Sequence, residues 1–196
     1  MPIKTFLLCS AMFILSACAK KSTTYYLLPV VPPEPSEIIT PIADQGIYAM
    51  RYVTIPDYLT NRYILFFNTD GSVNRDPNRR WVDYPEDNIK RLLALHISKR
   101  LNSQEFYSYP LAQNIRPDRI IDISIIEMIG YAENQRFQAA ATWQIHDKDG
   151  NRLALHQFNR EYPLENTAGN TLAKTYQKAL EALSAAIAQS LAKDKN

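Results

Sequence analysis

Apolar and polar positions along this chain recur with two different periods, one predicting strands and the other helices. Residues 47–55 and 62–68 are rich in β-branched and aromatic side chains and read as strands. Asp70-Gly71 follows as a hairpin signal. Ile89, Leu92, Leu93, His96, Ile97 and Leu101 then recur at helical spacing, with Pro85 at the helix start and Asp83 before it as a cap. A short strand is expected near 105–109, followed by a loop holding Pro110 and Pro117.

Residues 119–162 carry the clearest β pattern. Ile121, Ile123 and Ile125 share one face, and the shift to Ile126 and Met128 predicts a bulge. Phe137, Ala139, Ala141, Trp143 and Ile145 alternate with Arg136, Gln138, Thr142, Gln144 and His146, which predicts a strand with one wet face. Asp149-Gly150 turns the chain into a partner strand over 152–162. Leu172, Tyr176, Ala179, Leu180, Leu183, Ile187 and Leu191 form the stripe of a second amphipathic helix. The expected fold is therefore α+β: a largely antiparallel sheet with two amphipathic helices packed on one face.

The N-terminal region follows other rules. Lys4, a nearly unbroken apolar run over 6–15 and small residues up to Ala17 describe a secretory signal over 1–17. That run is too short for a bilayer, which needs about 20 helical residues. Cleavage would remove Cys9, one of only two cysteines, so the mature chain could form no internal disulfide from Cys18. Residues 18–46 read as a tether, a short aromatic run at Tyr25-Tyr26-Leu27-Leu28 expected to dock as a strand, and a segment with five prolines between Pro29 and Pro41. Residues 47–194 are long enough for a single domain.

Composition narrows the function by exclusion. A 46% hydrophobic, 21% charged chain matches a folded domain, and a formal charge of +2 is too small to support nucleic-acid binding. His96, His146 and His156 lack the spacing of a zinc site, although His146 and His156 could face each other across the last hairpin. Asp147 to Asn151 reads as a turn and not a calcium loop, because the later bidentate Glu is missing. The five glycines build no phosphate cradle, and no nucleophile elbow occurs. No cofactor, no metal and no catalytic residue is therefore expected. Arg75, Arg79 and Arg80 read as a solvated basic loop before Trp81. Tyrosine supplies 12 of the 21 aromatic residues, which suits an interaction module.

Two resemblances add to this reading. Leu15-Ser16-Ala17-Cys18 resembles the lipobox of bacterial lipoproteins, which implies N-acyl and S-diacylglycerol (palmitate-type) modification of Cys18. Ala19 in place of Asp implies forwarding to the outer membrane. Beyond the anchor the chain resembles the PqiC family of ABC-transport auxiliary lipoproteins. The likeness rests on Tyr25 to Val31, on Pro56-Asp57-Tyr58-Leu59, on Trp81 ahead of the first helix, and on 121–143 ending in Trp143. It implies a non-enzymatic, periplasm-facing docking lipoprotein with Tyr25, Tyr26, Pro56, Asp57, Tyr58, Leu59, Trp81 and Trp143 as motif or interface residues. Its partners would be an MCE-domain tunnel protein and the inner-membrane component of a PqiABC-like complex; a homo-oligomer would follow if the tunnel protein is a ring. The alternatives are a lipid-binding carrier, or an envelope-assembly lipoprotein that chaperones an outer-membrane protein.

Overall fold

The computed structural model describes residues 22–28 and 46–193; the signal, Cys18, the proline-rich segment and the last three residues lie outside them. The strands are β1 (Thr24–Tyr26), β2 (Tyr48–Thr54), β3 (Tyr63–Phe67), β4 (Val73–Trp81), β5 (Phe106–Ser108), β6 (Arg119–Tyr131), β7 (Arg136–Asp147) and β8 (Arg152–Pro163). The helices are α1 (Pro85–Arg100) and α2 (Gly169–Lys193), and a single 3-10 turn spans Asp57–Leu59. This is the α+β arrangement the periodicity predicts.

Strand β6 is the spine of the eight-stranded sheet. Along one edge it pairs antiparallel with β7 over its whole length, and β7 pairs antiparallel with β8. Its other edge is divided. The first half pairs in parallel with β2, which carries β5; the last two residues pair in parallel with β3, which carries β4 and then β1. The longest pairings are antiparallel and the short ones at the divided edge are parallel.

The expected bulge is present. Register slips between Ile125 and Glu127 against β7, and Ile126 is pushed out to 58% exposure. Beyond it, Gly130 lies under the Phe66 ring, where a Cβ would stand 2.9 Å from two ring carbons. Only a residue without a side chain lets β3 close against β6 there.

Both helices bury their stripes on one face of the sheet. Ile89, Leu92, Leu93 and Ile97 of α1 and Leu172, Tyr176, Leu180, Leu183 and Ile187 of α2 join Ile121, Ile123, Phe137, Ala141, Trp143 and Ile145 in one core. Trp143 and Ser190 satisfy each other inside it: Trp143 Nε1 donates to Ser190 Oγ at 2.9 Å, and Ser190 Oγ donates to the Ile187 carbonyl at 2.7 Å.

Three local expectations are corrected. Arg75, Arg79 and Arg80 stand on β4, not in a loop. The β3–β4 register advances two residues on β3 (Tyr63 to Leu65) while it moves five on β4 (Arg80 to Arg75), so Asp76-Pro77-Asn78 is accommodated as a bulge within the strand. The α1 cap position belongs to Tyr84, with no side-chain cap bond, so Asp83 does not cap the helix although Pro85 does begin it. His146 and His156 do not face each other: the β7–β8 register places His156 opposite Trp143, and His146, after a slip beyond Ile145, lies opposite Arg152.

Candidate functional site

The segment that would follow a lipid anchor is built into the fold. β1 adds to β4 in parallel, with Thr24, Tyr25 and Tyr26 opposite Arg79, Arg80 and Trp81, and Val82 N–H donates to the Tyr26 carbonyl at 2.8 Å. Strand alternation then sorts the side chains. Leu28 is buried and Tyr26 packs against the core, whereas Tyr25 and Leu27 stay outside at 55% and 50% exposure. Tyr26 can lie flat because it covers Gly169, the first residue of α2, whose absent Cβ would collide with the ring. Arg79 closes the joint by donating to the Thr167 carbonyl at 2.7 Å. Replacing Gly169 by valine is therefore expected to free β1 while leaving the core folded. Hydrogen exchange at Val82 N–H should accelerate, and protease should cut within 22–28; unchanged protection there would contradict this packing.

Pro56-Asp57-Tyr58-Leu59 forms the 3-10 turn at the gap where the spine's edge passes from β2 to β3. Leu59 is buried, Asp57 is exposed and Pro56 occupies the cap position. Tyr58 is the working residue: its hydroxyl accepts the Met128 N–H at 2.9 Å, while the Tyr176 hydroxyl donates to the Met128 carbonyl at 2.6 Å. Two tyrosines, one from the turn and one from α2, thus stand in for a missing strand. Burial pushes the Tyr58 hydroxyl up to about 12, and burial also drives that of Tyr176 well above its usual range. Both remain protonated hydrogen-bonding groups at neutral pH.

The tryptophans serve the interior. Trp81 is 4% exposed and meets Tyr176 edge-on at 5.4 Å between ring centres. Trp143 is 3% exposed and stacks on His156 at 5.2 Å. The structure therefore gathers Tyr26, Tyr58, Trp81 and Tyr176 around the β1–β4 joint and the sheet gap, and sets Trp143 apart on β7. Tyr25 and Asp57 are exposed, and Pro56 is half-buried. Tyr176 shows in the sequence only as one more position on an apolar stripe, so its hydroxyl contact is invisible there.

On the outer side of β3 and β4, arginines and tyrosines interleave. Arg75 and Arg80 lie over the Tyr63 ring at 4.1 and 4.8 Å. Arg62 donates to the Trp81 carbonyl at 3.0 Å and its guanidinium lies between Tyr25 and Tyr84, about equally far from each ring at 6.0 and 5.9 Å. Among the described residues no carboxylate pairs with Arg62, Arg75 or Arg80.

Titratable groups elsewhere are tied into the sheet. Asp122 accepts from Arg51 at 3.0 and 2.5 Å and lies 3.2 Å from His146 Nε2; the bond to Asp122 raises the Arg51 guanidinium further. No cluster of three or more metal-ligating side chains occurs among the described residues. An open depression of about 720 Å³ lies at the loop 109–117, with Leu111, Ile115 and Ile120 in its wall. Its volume suffices for an acyl chain, but it is a groove and not an enclosed pocket.

A family model described as "ABC-type transport auxiliary lipoprotein component" matches residues 26–188. Solved structures share the fold. A crystal structure of an uncharacterized protein superimposes with a TM-score of 0.68 at 16% identity, covering 87% of this chain and 99% of that one. A Xanthomonas campestris protein of family DUF330 superimposes with a TM-score of 0.67 at 15% identity, covering 85% and 93%. No curated protein matches the chain at a significant level.

Proposed function

Because the chain belongs to the family of ABC-type transport auxiliary lipoprotein components, we propose that it is the non-catalytic docking lipoprotein of an MCE-type, PqiABC-like lipid transport system. In this reading Cys18 carries N-acyl and S-diacylglycerol groups, the protein sits on the outer membrane facing the periplasm, and the domain holds a tunnel-forming partner at that membrane. The observation that carries the reading is the β1–β4 joint. It leaves five residues between Cys18 and Thr24, six steps and a reach of roughly 20 Å at ~3.1 Å per extended residue. An anchor so short holds the domain close to the lipid surface, which is what a docking component requires and a diffusing carrier does not. No helix among the described residues is long and apolar enough to cross a membrane, so attachment would rest on the acyl groups.

The partner is tested by crosslinking in cells. The acylated protein should recover an MCE-domain protein and its inner-membrane component. Recovery of an outer-membrane barrel with no MCE protein would replace this reading by a chaperone role.

A further inference from the structure

We propose that the outer side of the β1–β4 joint is a bilayer-contact face, seating tyrosine and leucine side chains at the headgroup level and arginines against anionic phospholipid. The inference rests on the Cys18 anchor and adds to it an orientation of the domain.

Four exposed apolar or aromatic side chains meet at one place: Tyr25, Leu27, Val82 and Tyr84, at 55%, 50%, 43% and 54% exposure. Chain geometry makes them neighbours. Val82 follows β4 and bonds the Tyr26 carbonyl, and Arg62 spans from Tyr25 to Tyr84. Beside them Arg75 is exposed over Tyr63. Asp83 lies within this group, but no ion pair joins it to Arg62 or Arg75 among the described residues. A tyrosine has an apolar body and a wet tip, the combination that collects at membrane–water boundaries. Arginine beside it offers several N–H donors to a phosphate.

The occupant is fixed by the length of chain that precedes the patch. Tyr25 is seven residues from Cys18, so an acylated Cys18 keeps this face within roughly 20 Å of the bilayer whatever the domain's orientation. The next sequence positions toward the anchor, Lys20 and Lys21, carry the same charge as the patch. The exposed leucines of β8 do not share this position. Leu153 and Leu155 stand on β8, five strand spacings from β1, about 24 Å away. A contact that turned β8 toward the membrane would leave the Tyr25 patch in water and its arginines beyond a Debye length of about 8 Å.

The test uses the acylated full protein in vesicles of phosphatidylethanolamine and phosphatidylglycerol whose acyl chains carry bromine. Tyr84→Trp and Leu27→Trp each add an indole on the patch, and Leu155→Trp adds one on β8; emission of the unsubstituted protein is subtracted. The two patch indoles should shift to the blue and lose most of their added emission to bromine, while the β8 indole keeps its own. For the unacylated Cys18→Ala chain, Arg75→Gln should lower partition onto these vesicles about fivefold, with no such loss on phosphatidylcholine. Patch indoles that stay unquenched while the protein floats with the vesicles would overturn the contact face and leave the anchor standing. Equal quenching at β8 would also overturn it, as would shielding that appears only when the transport partner is added. Failure of the acylated protein to float would remove the anchor and this face together.

Discussion

Replacing Cys18 by alanine is expected to move the protein from the membrane pellet to the soluble fraction almost completely. Each acyl methylene buried in the bilayer contributes about 0.8 kcal/mol, and two or more chains convert marginal attachment into stable anchoring. What remains without them is weak. Lys20, Lys21 and a few arginines near the surface would supply roughly 1 kcal/mol apiece, screened over a Debye length. Fractionation with a high-salt wash separates the two contributions, because salt releases electrostatic contact and spares acyl chains. A Cys18→Ala protein that still sediments after the wash would mean that the chain is held by something other than Cys18.

Tyr176→Ala should be the most damaging single change in the domain. The side chain is 3% exposed, lies 4.7 Å from the Phe137 ring and 5.4 Å from that of Trp81, and donates to the Met128 carbonyl at 2.6 Å. Truncating a buried aromatic typically costs about 3–5 kcal/mol. Leaving the Met128 carbonyl without its partner adds roughly 1–3 kcal/mol. A domain of this size is stable by about 5–15 kcal/mol, so the variant should be largely unfolded or melt far below the parent. Tyr176→Phe isolates the hydroxyl. It keeps both ring contacts and should cost about 1–3 kcal/mol, which lowers Tm by roughly 2–4 °C for each kcal/mol. Urea and thermal unfolding of both variants check this. A neutral Tyr176→Phe would show that the gap between β2 and β3 needs no hydroxyl to close it.

What could be read in advance depended on how far each cause acts along the chain. The α2 stripe from Leu172 to Leu191 and the alternation from Phe137 to Ile145 follow from near neighbours, and every residue of both sets is buried. The bulge at Ile126 was equally visible as a break in period. The arginine cluster reads as a loop because Asp76, Pro77 and Asn78 are turn-forming residues, and only pairing with β3 and β1 makes their surroundings a strand. His146 and His156 do not meet because the turn at 147–151 sets a register that puts Trp143 opposite His156, and the pattern of alternation alone does not fix that register. The division of the β6 edge between β2 and β3 is harder still, since it joins segments about 70 residues apart. Of the motif residues, Tyr58 shows the limit well. The sequence marks its segment, but only the fold reveals that its hydroxyl holds the backbone of Met128.

The joint between β1 and β4 is only three residue pairs long, and it lies next in sequence to the proposed anchor at Cys18. Mechanically it is a clasp in series with a tether. A pull on the lipid end loads those three pairs before it reaches the core. If they part and Leu28 is drawn from the core, the reach set by sequence length alone, Cys18 to Gly46 if wholly extended, grows from roughly 20 Å to roughly 80 Å at ~3.1 Å per residue. The domain would then hang on a line about four times longer with every other described strand still in the sheet. In the proposed setting between two membranes, a change in their spacing would be taken up by this lengthening, at the cost of one short strand.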